Sequence, residues 1–272
     1  LYAISKRSGI IERYKMFASF MVAPITVGFG GSVGLQGPAV STGAAIGSNV
    51  ASMFHMNAKT RMLLIGCATA GAMSSMFKAP VAAIVFAVEI FSLDLVFTSL
   101  VPLLLASVAA VITSYFFRGT DVLFSFELLD AWRVKDIIFY VFLGLATGIA
   151  SVYFSKMYFL ITRFFAWFSN AYVKIGIAAL AIGLMLYLFP PLYGEGYGLI
   201  NNLLNGETEA ALNGIQYQID FNNVWIVIAI LLIIAVFKAI AMTTTFAAGG
   251  VGGIFIPTLF MGSALGNSVA KV

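Results

Sequence analysis

From Met16 to Ala58 the chain carries no Asp, Glu, Lys or Arg. A single membrane-crossing helix needs only about 20 apolar residues, so this stretch is too long for one. Its middle holds Gly28, Gly30, Gly31, Gly34, Gly37 and Pro38. The pattern predicts two helices broken near residues 31–37, the second running from about Pro38 to Phe54. Irregular backbone at membrane depth must be buried in protein or line a watery cavity, because lipid cannot satisfy its polar groups. Further on, Met62–Phe77 reads as an apolar helix rich in small residues, which let helices approach closely. Lys78-Ala79-Pro80 breaks it, and Val81–Leu93 forms another helix with Glu89 inside. Leu95–Phe117 is charge-free and long enough to span with tilt. A polar connector with Asp121, Glu127, Asp130 and Arg133 follows. Helices are then expected from Ile137 towards Phe168, over Ile175–Phe189 up to Pro190-Pro191, and over Val224–Ala241 with Lys238 inside. Tyr193-Gly-Glu-Gly-Tyr-Gly198 is turn chemistry, and residues 199–223 read as a short helix and a polar loop. No stretch reads as a strand-rich domain, a low-complexity linker or a coiled coil. Several segments are too short to span upright, so the expected fold class is an all-α membrane protein built from tilted, broken transmembrane helices.

Composition agrees with this. The 272 residues are 61% hydrophobic and 10% charged, with mean hydropathy +1.01; a soluble domain carries about 25% charge. Lys6, Arg7, Arg13 and Lys15 flank a membrane segment and read as cytoplasmic. The net charge of +4 is spread over loops, which argues against nucleic-acid binding. Cys67 reads as a small apolar packing residue. His55 is the one histidine and reads as interfacial. Without a second His or Cys at ligand spacing, neither a metal nor another cofactor is expected. The chain opens on Leu1 without a start methionine and stops a turn past a glycine segment, so it is expected to be part of a longer protein.

Two glycine-punctuated segments repeat each other. Residues 30–50 and 249–269 align at a constant offset of 219, with 8 identities in 21 positions. Gly30, Gly31, Gly34, Pro38, Gly43, Ala45, Gly47 and Val50 recur as Gly249, Gly250, Gly253, Pro257, Gly262, Ala264, Gly266 and Val269. Paired Gly/Pro-interrupted apolar segments point to the binding site of a transporter. A proline suits a helix's first turn, where its missing N–H costs nothing. The free N–H groups and positive dipole end of such a helix attract an anion. Gly34-Leu35-Gln36-Gly37-Pro38 and Gly253-Ile254-Phe255-Ile256-Pro257 each have this form, and neither contains a basic residue. Partial charges bind weakly enough to release.

Gly34-Leu35-Gln36-Gly37-Pro38 and Gly252-Gly253-Ile254-Phe255-Ile256-Pro257 resemble two motifs of the CLC chloride channel and chloride/proton antiporter family. Tyr193–Tyr197 and Thr243–Thr245 also fit that family, and the similarity runs along the whole chain. The resemblance implies an inverted-repeat fold, with residues 1–130 as the C-terminal part of the first repeat and 131–272 as the N-terminal part of the second. It implies chloride binding by the amides of Leu35, Gln36 and Gly37 and of Ile254, Phe255 and Ile256, framed by Gly34, Pro38, Gly252, Gly253 and Pro257. It implies a homodimer in a bilayer, of the bacterial cell-membrane type, whose interface includes helices over 81–117.

The chain departs from the family pattern in specific places. The family's central serine motif and pore tyrosine would lie outside residues 1–272. Its gating glutamate is Gln36 here, which has no ionisable group. Its internal proton-transfer glutamate falls at Ile90; Glu89 points about 100° away from that face and reads as structural or as lining the cytoplasmic side. The expectation is therefore anion transport that is not proton-coupled through residue 36. Two alternatives stand beside it: a chloride/proton antiporter into which Gln36 was introduced, and a secondary transporter of another anion such as fluoride or nitrate. A membrane-embedded enzyme would need a polar catalytic cluster, and only Glu89 lies within the spans. Lys78 and Lys238 are expected to snorkel or to raise the potential of the anion pathway.

Overall fold

The computed structural model describes residues 8–91, 96–125, 133–215 and 221–271. Among these the chain is helical, with one isolated β-bridge, Gly34 to Gly253. The helices are α1 (Lys15–Gly28), α2 (Gln36–Met53), α3 (Ala58–Phe77), α4 (Pro80–Phe91), α5 (Phe97–Arg118), α6 (Ile137–Ala166), α7 (Ala171–Leu188), α8 (Tyr197–Leu204), α9 (Thr208–Ala211), α10 (Val224–Ala247) and α11 (Phe255–Ala270). Short 3-10 turns precede α6 and follow α7. The break expected near residues 31–37 falls between α1 and α2. Lys6, Arg7, Glu127, Asp130 and the end of the helix expected to reach Leu93 lie outside the described residues.

Four segments are long and apolar enough to cross a membrane: Phe97–Arg118, Val134–Ala166, Ala171–Leu188 and Val224–Ala247. At 30 residues, α6 would be about 45 Å long, more than the ~30 Å hydrocarbon core, and fits with tilt. By contrast α1, α4 and α11 are apolar but shorter.

The chain forms two compact units. The first holds residues 1–23 and 36–124; the second holds 24–35 and 125–272. The first division falls inside α1, at its internal Pro24. In the first unit α3 packs on α2, α4 and α5. A Cβ at Gly43 would lie 2.8 Å from the Ala68 carbonyl oxygen, and one at Gly47 would lie 2.5 Å from that of Leu64. Glycine is what lets α2 and α3 meet at backbone distance. Hydroxyls tie the other contacts: Ser74 donates to Ser107 O at 2.9 Å and Ser114 to Ser75 O at 2.8 Å. Cys67 is buried with Ala44, Ile65, Ala70, Ala87, Phe91 and Leu103. On α4, Ile90 packs against this core while Glu89 is exposed. Lys78 ends α3 in a left-handed conformation, and its ammonium donates to the Gly119 and Asp121 carbonyls just past α5. A cation there favours the negative end of α5.

In the second unit α10 packs on α6, α7 and α11, and α11 also packs on α6 and α8. The helix expected over Val224–Ala241 continues to Ala247, so Thr243–Thr245 belong to α10. Thr243 and Thr245 donate to the carbonyls of Ala239 and Ala241, each at 2.8 Å. This i−4 bonding satisfies their hydroxyls without leaving the helix.

Candidate functional site

Both glycine segments begin as helix C-caps of one kind. At the end of α1, Gly31 N–H bonds to Thr26 O at 2.8 Å and Gly30 N–H to Val27 O at 3.0 Å. At the end of α10, Gly250 N–H bonds to Thr245 O and Gly249 N–H to Phe246 O, both at 2.9 Å. Each is a Schellman cap, which places its penultimate residue in the left-handed region. Gly30 and Gly249 accordingly have φ of +95° and +99°. One residue on, a Cβ at Gly31 would lie 2.6 Å from Thr26 O, and one at Gly250 would lie 2.8 Å from Thr245 O.

The two caps then clasp each other, all within the second unit. Ser32 N–H donates to Thr245 Oγ1 at 3.3 Å, and Val251 N–H donates to Thr26 Oγ1 at 3.2 Å. Gly34 N–H bonds to Gly253 O at 3.0 Å, and Gly253 N–H returns to Gly34 O at 2.6 Å. The offset of 219 maps Ser32 onto Val251, Thr26 onto Thr245 and Gly34 onto Gly253. Residue i meets the counterpart of j while j meets the counterpart of i, which is the signature of a local two-fold. The sequence duplication is therefore also a duplication in space.

A helix begins two residues beyond each bridge partner. In α2 the first three residues are Gln36, Gly37 and Pro38; in α11 they are Phe255, Ile256 and Pro257. Each proline is third in its first turn, where an N–H would have no intrahelical acceptor. Of the predicted site residues, Gly34, Leu35, Gly252, Gly253 and Ile254 come together around the bridge, with Gly252 against Val33. Phe255, Ile256 and Pro257 continue from it into α11. Gln36, Gly37 and Pro38 start a helix of the other unit; Gln36 is buried, 1% exposed. Ile90 lies in that unit's apolar core.

Two charged residues complete the site, and only one was singled out from sequence. Glu195 Oε1 accepts the Leu35 N–H at 2.8 Å. Lys238 on α10 does not snorkel: it is 0% exposed. Its ammonium donates to Gly194 O at 2.8 Å and Leu192 O at 3.3 Å, and lies 4.8 Å from the centre of the Phe260 ring. Leu192 O further accepts the Ser32 hydroxyl at 2.6 Å, and the Tyr193 hydroxyl donates to Gly28 O at 2.7 Å. The 192–195 loop is thus strapped to Lys238 on one side and to the first glycine segment on the other. Glu195 could have drawn notice as an acid between two glycines in a largely apolar chain. Thr26 could have been found because it shares the offset with Thr245.

The site offers backbone N–H groups at helix starts, chemistry suited to a small anion. Among the described residues no cluster of three His, Cys, Asp or Glu side chains could hold a metal.

Comparison with known proteins points the same way. The family profile described as "Voltage gated chloride channel" matches residues 2–272. A putative chloride channel protein ClcB-like of Ralstonia nicotianae is 26% identical, over 97% of this chain and 58% of its own length. An H(+)/Cl(-) exchange transporter ClcA of Vibrio cholerae is 28% identical, over 90% of this chain and 51% of its own. The chain thus spans little more than half of these curated relatives. The crystal structure of a CLC-type fluoride/proton antiporter superposes with TM-score 0.65 at 25% identity, covering 97% of this chain and 67% of that one. A slow cyanobacterial Cl-/H+ antiporter shares the fold, with TM-score 0.69 at 20% identity over 88% of this chain and 55% of that one.

Proposed function

The chain belongs to the voltage gated chloride channel family, and on that footing we propose that it carries chloride or a similar small anion across a membrane, along backbone amides at the starts of α2 and α11. The observation that carries this reading is the reciprocal clasp. It sets Leu35 and Ile254, each the last residue before a helix, one step beyond the same bridge. Leu35, Gln36 and Gly37 supply one group of amides and Ile254, Phe255 and Ile256 the other. The family assignment sets aside the membrane-enzyme reading.

Gln36 has the shape of a protonated glutamate and no titratable group; Ile90 has none either. Transport is then uncoupled from protons at residue 36, in contrast to the proton-exchanging relatives. The local two-fold supports reading residues 1–130 as the end of a first inverted repeat and 131–272 as the start of a second. The whole protein is a homodimer in a cell membrane of bacterial type, with apolar helices 81–117 in its interface.

The test is flux from liposomes holding the full-length protein, with anion and proton movement recorded together. Chloride, fluoride and nitrate are compared with an organic anion. Inorganic anion flux without a fixed proton ratio is expected. A fixed anion/proton ratio would remove the uncoupled reading, and fluoride flux alone would move the substrate to fluoride. Flux of none of the three would end the transport reading.

A further inference from the structure

We propose that the Glu195 carboxylate is a built-in competitor of the transported anion at the Leu35 amide. This rests on the anion-transport reading of the same site and extends it to a residue outside both glycine motifs.

The Leu35 N–H stands immediately before the first turn of α2, where amides lack intrahelical acceptors. Such an amide takes a carboxylate for the same reason that it takes a halide: partial positive charge meets full negative charge. Glu195 Oε1 occupies it at 2.8 Å, a distance typical of charge-assisted bonds. An anion can therefore use this amide only when the carboxylate leaves or is protonated.

Ile254 is the counterpart of Leu35, and among the described residues its N–H has no acceptor; the residue is 51% exposed. Glu195 is carried by a loop outside the two repeated segments. That loop is fixed from beneath by Lys238 through Leu192 O and Gly194 O. Glu195 itself sits between glycines with φ of +56° and +83°.

The charged and titratable groups around Glu195 are few. From α10 there is Lys238. On its own loop and at the start of α8 are Tyr193 and Tyr197. Segment 24–35 and α11 carry none. A purely structural Glu195 would merely brace the loop, and its replacement would alter stability without altering anion binding.

The experiment uses the full-length protein and two substitutions, Glu195→Gln and Glu195→Ala. Gln keeps the shape and an acceptor; Ala removes both. Bromide serves as the probe, located by anomalous scattering in crystals and titrated calorimetrically at neutral and acid pH. In Glu195→Ala, bromide is expected within hydrogen-bond distance of Leu35 N at neutral pH; in the unsubstituted protein it is expected there only at acid pH. Bromide affinity should rise on the order of tenfold in Glu195→Ala, less in Glu195→Gln, and lose its pH dependence in both. Should the variants fail to fold, the acid and neutral forms of the unsubstituted protein decide alone. Bromide absent from the Leu35 amide in the variant and in the acid form, or equally present at both pH values without substitution, overturns the proposal. Bromide at that amide without any liposome flux would retain it and sink the transport reading instead.

Discussion

Leu35 and Ile254 occupy the same step of a duplicated turn, and they differ in what their amides hold. Around them the backbone is matched closely: the same Schellman caps, the same left-handed glycines, mutual bonds to Thr26 and Thr245. At Leu35 the Glu195 carboxylate fills the amide; among the described residues none fills that of Ile254. Duplication sets where the amides stand, and at Leu35 a side chain from outside the duplicated stretch sets what the amide holds.

The strongest way to break the comparison is to crowd one cap at a time. Gly31→Ala and Gly250→Ala each place a methyl group under 3 Å from a threonine carbonyl. Each should cost about 3 kcal/mol, the upper end of overpacking penalties, and by similar amounts, read as loss of thermal stability in detergent. A tolerated change on one side only would mean that the two-fold is geometric but not energetic.

Lys238→Met should come next, at about 1–3 kcal/mol, because the Gly194 carbonyl loses its donor. Hydrogen exchange should then quicken over residues 192–197 and at Leu35 while Ile254 stays unchanged. Exchange that quickens equally at both amides would show that Lys238 supports the whole clasp and not the Glu195 side alone.

Thr26→Val and Thr245→Val each remove an acceptor from the opposite segment. Near-equal losses of about 1 kcal/mol are expected, measured by thermal unfolding, and a clear inequality would mark the side that bears the clasp. The gentlest test needs no substitution. In the unaltered protein the Leu35 amide should exchange more slowly than that of Ile254, and equal rates would remove the asymmetry.

Local chemistry was readable from sequence because it is local. Glycine, proline and missing charge mark the break between α1 and α2 and the starts of α2 and α11 within a residue or two. The helix expected over Val224–Ala241 runs on through Thr243–Thr245 to Ala247, and the hydroxyls of Thr243 and Thr245 find carbonyls one turn back. Lys238 read as snorkelling or as raising the potential of the anion pathway; its burial was not legible because its acceptors, Leu192 O and Gly194 O, lie 46 and 44 residues away. The partner of Glu195 is 160 residues distant, beyond any periodicity.

The crossed threonine bonds have a mechanical consequence. Because an amide of each segment is latched by a hydroxyl on the other, parting them at one latch loads the Gly34–Gly253 rung and, through it, the other latch. The two glycine segments are therefore coupled and move in step.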